Sequence, residues 1–172
     1  NANAPNQQSA SAVWSNGYAG VWHMGDNAAN TNVVNSQSGV NGTAQQNTSA
    51  LTTAGKTGGA LTFNGSTDYV NTGTGAGKPA NYTINAWLKP SAYTNSGTVF
   101  SASGGYNHWG IFGRDSGTME LYTSNGSAYG LGVSTDNWNA TNYPSSSFTF
   151  ITGTADGSSF RYYRNGVKIG SD

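Results

Sequence analysis

The chain has 172 residues, with seven basic and seven acidic side chains, 12% aromatic residues and no cysteine. The charge balance gives no electrostatic reason to expect nucleic acid or an anionic membrane as a partner, and the aromatic content argues against disorder. Disulfides and thiolate metal sites are excluded, and no apolar run reaches the roughly 20 residues of a membrane-spanning helix. A surface of amides and hydroxyls suits neutral ligands such as sugars, and equally an extracellular spacer.

The first third of the chain is polar and irregular. Residues 1–12 predict a linker from an upstream domain, and residues 13–172 predict a single β-sandwich. The segment 19–24 predicts a first strand, with Trp22 as a core residue. The polar stretch 25–59 is long for an unstructured loop, so we expect a short hairpin or a segment along a sheet edge.

Asn-Gly pairs separate short runs of alternating character in the rest of the chain. The pair Asn64-Gly65 predicts a tight turn that joins strands at 60–64 and 67–72. No window of 11 or more residues has a helical period, and strands at regular spacing indicate an antiparallel sandwich. The later predicted strands are 81–90, 97–102, 108–113, 117–123, 128–133, 147–153, 159–164 and 166–170.

The strand at 81–90 alternates strictly and ends at Pro90, which lacks a hydrogen-bond donor for the sheet. Because the strand is strongly apolar, Trp87 is predicted to be a core residue. The alternation of this strand places two sets of residues on opposite faces: Tyr82, Ile84, Ala86 and Leu88 on one, and Thr83, Asn85 and Trp87 on the other.

Three segments together resemble the laminin-G-like, concanavalin-A-type jelly-roll family. Residues 60–70 resemble its opening hairpin, residues 82–90 its "Phe-Thr-Ile-x-Ala-Trp-Val-Lys-Pro" strand, and residues 150–167 its closing "Tyr-x-Asn-Gly" hairpin. Residues 13–24 are similar to a junction found in bacterial surface proteins. The resemblance covers about 13–170 and implies an all-β, antiparallel jelly-roll β-sandwich of the concanavalin-A-like type.

Family members usually continue past the closing hairpin into further strands. The resemblance therefore implies that the sandwich is C-terminally incomplete at Asp172. Because an unpaired sandwich edge promotes association, we expect self-association or complementation by a strand of another chain. The resemblance also implies an extracellular or cell-surface location in a bacterium.

Catalysis is not expected. Glycosidases on this sandwich place closely spaced carboxylates along one strand. Here Glu120 is the only glutamate, and its nearest acid, Asp115, is five residues away. An odd spacing puts the two carboxylates on opposite faces of a shared strand. We therefore predict no catalytic residue and no enzymatic activity.

Sugar recognition needs exposed aromatic faces and fixed amide or hydroxyl groups. The segment 136–144 is the leading candidate because its aromatic residues alternate with amides. The alternative is that such aromatics cap the end of the sandwich and that the histidine is structural. The predicted ligand-binding residues are Trp109, Trp138, Tyr143, Asn139 and His108.

Calcium is the predicted cofactor, since it takes six to eight oxygen ligands that loops of this composition supply. The resemblance implies a calcium site at the rim of the sandwich, with Asp26, Asp68 and Asn71 as metal ligands. The alternative is that Asp68 caps its own turn and that Asp26 is solvated.

These expectations describe a non-catalytic extracellular carbohydrate-binding or adhesion module, assisted by calcium. Its predicted partner is a glycan or polysaccharide, without nucleic acid and without membrane insertion. The alternative function is a structural spacer or a self-assembling subunit of an extracellular surface structure or filament.

Overall fold

The computed structural model describes residues 9–37, 39–73, 79–93, 97–102, 109–113, 117–123 and 133–170. The chain divides into two compact units, Asn1–Thr74 and Gly75–Asp172, which we call the N-terminal unit and the sandwich unit. The division falls inside the range 13–172 predicted as one sandwich, and the predicted linker boundary after residue 12 stays a prediction.

The described part of the N-terminal unit is built from short elements. A three-stranded antiparallel sheet of order β1-β2-β5, a two-stranded sheet of β3 and β4, and two single-turn helices accompany a small core of Val33, Ala44, Leu51 and Leu61. The elements are α1 (Ala10–Val13), β1 (Asn32–Val33), β2 (Gly42–Ala44), α2 (Thr48–Leu51), β3 (Thr52–Ala54), β4 (Gly59–Leu61) and β5 (Val70–Asn71).

Two predictions for the N-terminal unit can be compared directly with these elements. The short hairpin expected within 25–59 is present as the antiparallel pair β1–β2. The strand expected at 19–24 is reduced to one isolated bridge between Trp22 and Asn35. Trp22 is half-buried and packs against the small core, and its indole N–H is buried without a hydrogen-bond partner.

The predicted hairpin around Asn64-Gly65 is wrong. Strand β4 pairs with β3 and β5 pairs with β2, so the two segments flanking the turn do not pair with each other. Gly65 has the expected positive φ of 72°, but the loop is closed by the Asn64 side chain. Its Oδ1 accepts the backbone N–H groups of Ser66, Thr67 and Asp68 at 2.9–3.1 Å. Local side-chain bonds of this kind compete with strand pairing.

The sandwich unit contains two antiparallel four-stranded sheets with the orders β10-β9-β8-β7 and β13-β12-β11-β6. Buried residues of both sheets form one core, so the predicted all-β sandwich is confirmed. Its strands are β6 (Asn81–Leu88), β7 (Thr98–Ala102), β8 (Trp109–Gly113), β9 (Thr118–Thr123), β10 (Val133–Asn137), β11 (Thr149–Asp156), β12 (Phe160–Arg164) and β13 (Val167–Ile169). The core residues are Ile111, Met119, Leu121, Tyr143, Ile151 and Tyr162.

The strands follow the sequence pattern closely. Alternation sends Ile151 and Gly153 of β11 inward and leaves the residues between them on the outer face. The two sheets approach each other at Gly153, where an added Cβ would lie 2.7 Å from Leu121 Cδ1. The Asn165-Gly166 turn closes the β12–β13 hairpin as predicted, with positive φ at both residues. The strand predicted at 128–133 lies almost wholly outside the described residues.

Candidate functional site

Trp87 lies on the outer face of the β13-β12-β11-β6 sheet, and its side chain is 49% exposed. The prediction that Trp87 is a core residue is therefore wrong. The inner positions of β6 are occupied by Tyr82, Ile84 and their apolar neighbours, so the alternation of the strand turns Trp87 outward. Its ring lies 5.0 Å from the ring of Phe150, the residue directly opposite on β11.

The same outer face continues as rows of polar side chains across the strands. Asn85 of β6 is opposite Thr152 of β11, and the Thr152 hydroxyl donates to Asn85 Oδ1 at 2.8 Å. The next strands extend this row through Tyr163 and Lys168. We call this surface the Trp87 face; it comprises Trp87, Phe150, Asn85, Thr152, Tyr163, Lys168, Thr83, Thr154 and Arg161.

The segment 136–144, predicted to present a ligand surface, instead turns into the sandwich. Tyr143 has no exposed surface and belongs to the core, so its ring offers no face to a sugar. Its hydroxyl donates to Asp136 Oδ2 at 2.6 Å and lies 2.9 Å from the hydroxyl of Tyr162. The prediction that Tyr143 is an exposed ligand contact is therefore wrong. The residue instead links β10 to β12 through a buried polar network.

Arg164 provides the positive charge of this network. Its Nη1 donates to both carboxylate oxygens of Asp136, whose side chain is only 4% exposed. The guanidinium also lies 5.7 Å from the centre of the Tyr143 ring, within the range of a cation–π contact. Burial raises the pKa of the Tyr143 hydroxyl, and the neighbouring Tyr162 and Asp136 raise it further.

Trp138 and Asn139 lie on the loop that leads into Tyr143. The Trp138 ring is half-buried and contacts the rings of Tyr93 and Tyr143 at 5.4 and 4.8 Å. The Asn139 side-chain oxygen accepts two backbone N–H groups, those of Thr141 and Asn142, and so closes the turn. The turn is therefore held by Asn139 itself, and ligand contact by Trp138 or Asn139 stays a prediction.

Trp109 belongs to a different cluster of aromatic rings. Its half-buried ring contacts Tyr82 at 4.6 Å and Phe100 at 5.3 Å, so the structure does not group it with Trp138. The hydroxyls of Tyr82 and Thr123 are both buried here, and neither makes a hydrogen bond of ordinary geometry. Burial raises the pKa of Tyr82, although the nearby Thr123 hydroxyl opposes this. His108, the remaining predicted ligand contact, lies outside the described residues.

The predicted calcium ligands all belong to the N-terminal unit, and each has a protein donor. Asp26 Oδ1 accepts the backbone N–H of Val34 at 3.1 Å. Asp68 accepts from Gln46 Nε2 at 2.6 Å and from the backbone N–H of Asn64 at 3.1 Å.

Asn71 Oδ1 accepts the backbone N–H of Gly73 at 3.0 Å and so closes a local turn. Carboxylate and amide oxygens fit calcium chemically and keep lone pairs for it. Within the described ranges, however, no three His, Asp or Glu side chains cluster in a way that could hold a metal ion. Calcium remains a prediction for this chain.

Glu120, the single glutamate, lies on β9, where its carboxylate is within 3.4 Å of the Thr118 hydroxyl. Asp115 lies outside the described residues, so the relation of the two carboxylates stays a prediction. The two helices of the described ranges are single turns, too short to cross a bilayer.

The Trp87 face is the part of the candidate site that sequence reasoning missed. The sequence did contain evidence for this position, because the alternation of the strand puts Trp87 on the same face as Thr83 and Asn85, opposite Ile84. The hydrophobicity of Trp87 favoured a core position, whereas its place in the alternation of the strand favoured the surface. The alternation was the correct guide. Pairing of Trp87 with Phe150 required knowledge of the β6–β11 register, which the sequence does not reveal.

The chain belongs to the laminin G-like family that is described as the concanavalin A-like lectin/glucanases superfamily, whose model matches residues 64–172. The predicted family is therefore confirmed, with a match that begins later than the residue 13 expected from the motifs. Laminin G-like domains are generally non-catalytic and typically extracellular, although the wider superfamily includes glucanases. No curated protein and no solved structure matches the chain.

Proposed function

We propose that the sandwich unit is a non-catalytic carbohydrate-binding module and that the Trp87 face is its ligand surface. The observation that carries this proposal is the exposed Trp87 ring beside Phe150, one row away from the Asn85–Thr152 pair. An aromatic platform stacks on the apolar face of a sugar ring, and an adjacent amide and hydroxyl bind its hydroxyl groups. Family membership supports the same class of ligand.

The charge balance of the chain favours a neutral ligand. Arg161 is paired with Asp156 at 3.0 Å, which offsets its positive charge. The whole chain has equal numbers of acidic and basic residues, so it offers little attraction to a polyanion. The module would therefore serve adhesion or substrate targeting through neutral glycans, in an extracellular or cell-surface protein of a bacterium.

Calcium assistance is a separate part of the proposal, with Asp26, Asp68 and Asn71 as the predicted ligands. It is supported by the oxygen-rich chemistry of these side chains. Because they lie in the N-terminal unit and the Trp87 face lies in the sandwich unit, calcium and Trp87 can be tested independently of each other.

A glycan array tests the proposal, with each sample applied in calcium and again in EDTA. We expect wild-type protein to bind neutral glycans and Trp87→Ala to lose that binding. Tyr18→Ala is the matched control, since it removes a ring that is 44% exposed in the N-terminal unit. Absence of binding to every glycan in calcium would refute the carbohydrate function, and equal binding in EDTA would refute only the calcium role.

The alternative function, a self-assembling structural subunit, is favoured by one specific observation. Strand β6 is eight residues long and carries no charge, and among the described strands it pairs only with β11. A long uncharged edge strand is prone to pair with another chain, which would also provide strand complementation. Size-exclusion chromatography over a concentration series and electron microscopy test this function: dispersed monomers at all concentrations would contradict it.

A further inference from the structure

The Trp87 face consists of three parallel rows of side chains on the outside of the sheet. The first row is Trp87 and Phe150, and the second begins with Asn85 and Thr152. The third row pairs Thr83 and Thr154 and continues to Arg161. Adjacent rows on one face are two residues apart, or about 7 Å, so the three rows together cover about 14 Å along the strands.

These dimensions determine how much of a sugar chain the face can contact. Side chains stand roughly perpendicular to a sheet, so the rows form a platform instead of a walled pocket. A single sugar ring placed on Trp87 would leave the third row, about 14 Å away, without a contact. Contact with all three rows requires a ligand of several sugar units that lies flat along β6 and β11.

The second row offers a donor and an acceptor side by side. The Thr152 hydroxyl donates its proton to Asn85 Oδ1, which leaves the Asn85 amide N–H groups and the Thr152 oxygen lone pairs for a ligand. Neighbouring hydroxyls of a sugar can accept from the first and donate to the second. This arrangement therefore fits a pair of adjacent hydroxyls, which units in the middle of a sugar chain also present.

From these three rows we infer that the Trp87 face binds an internal segment of a neutral polysaccharide chain, rather than a monosaccharide or a chain end. The inference rests on the proposed carbohydrate function and specifies the form of its ligand. Binding energy is distributed along the rows, with stacking at Trp87 and hydrogen bonds at Asn85, Thr152 and Thr83.

The first experiment identifies the polymer. Affinity gel electrophoresis of the whole chain is run in gels containing a mixed-linkage β-glucan, xylan or galactomannan. We expect at least one gel to retard the wild-type protein and the Tyr18→Ala control, and to retard Trp87→Ala much less. Failure of every gel to retard the wild type would count against the carbohydrate function, and against this inference with it.

Calorimetric titration then distinguishes binding of an internal segment from binding of a chain end. The ligands are sugars of one to six units prepared from the polymer that retards the protein. The affinity is expected to rise at least tenfold between the disaccharide and the hexasaccharide, and to be unchanged when the terminal reducing unit is reduced. Asn85→Ala should weaken hexasaccharide binding about tenfold, the effect of losing one or two hydrogen bonds.

Other outcomes would overturn the inference while leaving the carbohydrate function intact. A monosaccharide that binds as tightly as the hexasaccharide would show a single-ring site. Loss of binding on reduction of the terminal unit would show recognition of a chain end. Retardation that persists fully in Trp87→Ala would place the binding surface elsewhere on the molecule.

Discussion

Two arginines of strand β12, each paired with an aspartate of another strand, show how the two faces of one sheet differ. Arg161 points outward and pairs with Asp156 at 3.0 Å, with both side chains substantially exposed. Arg164, three residues later, points inward and holds the buried Asp136. The outer pair lies on a solvent-exposed surface, whereas the inner pair ties β10 to β12 across the sandwich.

The surroundings of the two aspartates differ as much as their exposure. Backbone N–H from Ser159 and the Arg161 guanidinium hold the pKa of the Asp156 carboxyl well below its usual range, while the group stays in water. Asp136 instead accepts from the Tyr143 hydroxyl and the Asn142 amide inside the protein. Similar residue types therefore give a solvated ion pair on one face and a structural network on the other.

Removing the charge of each aspartate is the strongest test of this difference. Asp136→Asn should lower the free energy of unfolding by about 3 kcal/mol, because Arg164 then loses its buried counter-charge. Asp156→Asn is the matched control and should shift the unfolding midpoint far less, since water solvates Arg161. Urea unfolding followed by tryptophan fluorescence measures both. Equal shifts for the two variants would mean that the inner pair is no more structural than the outer one.

The buried tyrosines predict a second, pH-dependent effect. Burial raises the pKa of Tyr143 and of Tyr162 above the value near 10 of an exposed tyrosine. Because the fold favours the neutral phenols, their stabilisation is complete below about pH 10 and is lost as the pH rises further. The free energy of unfolding should therefore fall as the pH rises above about 10.

Tyr143→Phe isolates the contribution of one hydroxyl to this pH dependence. At neutral pH the variant should be about 2 kcal/mol less stable, because Asp136 and Tyr162 each lose a buried partner. The difference from wild type should narrow as the pH rises above 10, where the wild-type hydroxyl favours unfolding. Urea midpoints at pH 8, 9, 10 and 11 measure this. A difference that stays constant across the series would contradict the assignment to Tyr143.

The fold was largely predictable from the sequence, because strand alternation and Asn-Gly turns are local signals. The β12–β13 turn at Asn165-Gly166 is such a case. The candidate site was less predictable, since it depends on which strands pair. Tyr143 and its amide neighbours have the composition of an exposed loop, but contact with Tyr162 of another strand draws the ring inward. The prediction of a hairpin at Asn64-Gly65 was wrong for a local reason. The Asn64 side chain bonds to the backbone of the following residues and closes the loop itself, and the flanking segments do not pair with each other.

The smallest effect on stability is expected for Trp87→Ala on the outer face. Comparison with Trp138→Ala in the interior distinguishes the two regions most clearly. Trp87→Ala removes a half-exposed ring that packs on Phe150, so the free energy of unfolding should fall by about 1 kcal/mol or less. Trp138→Ala removes a ring packed between Tyr93 and Tyr143 and should cost about 3 kcal/mol. If Trp87→Ala were as destabilising as Trp138→Ala, Trp87 would be a structural residue despite its exposure. Loss of glycan binding in Trp87→Ala would then no longer locate the ligand surface. A small change in unfolding free energy together with lost binding separates recognition on the outer face from stability in the interior.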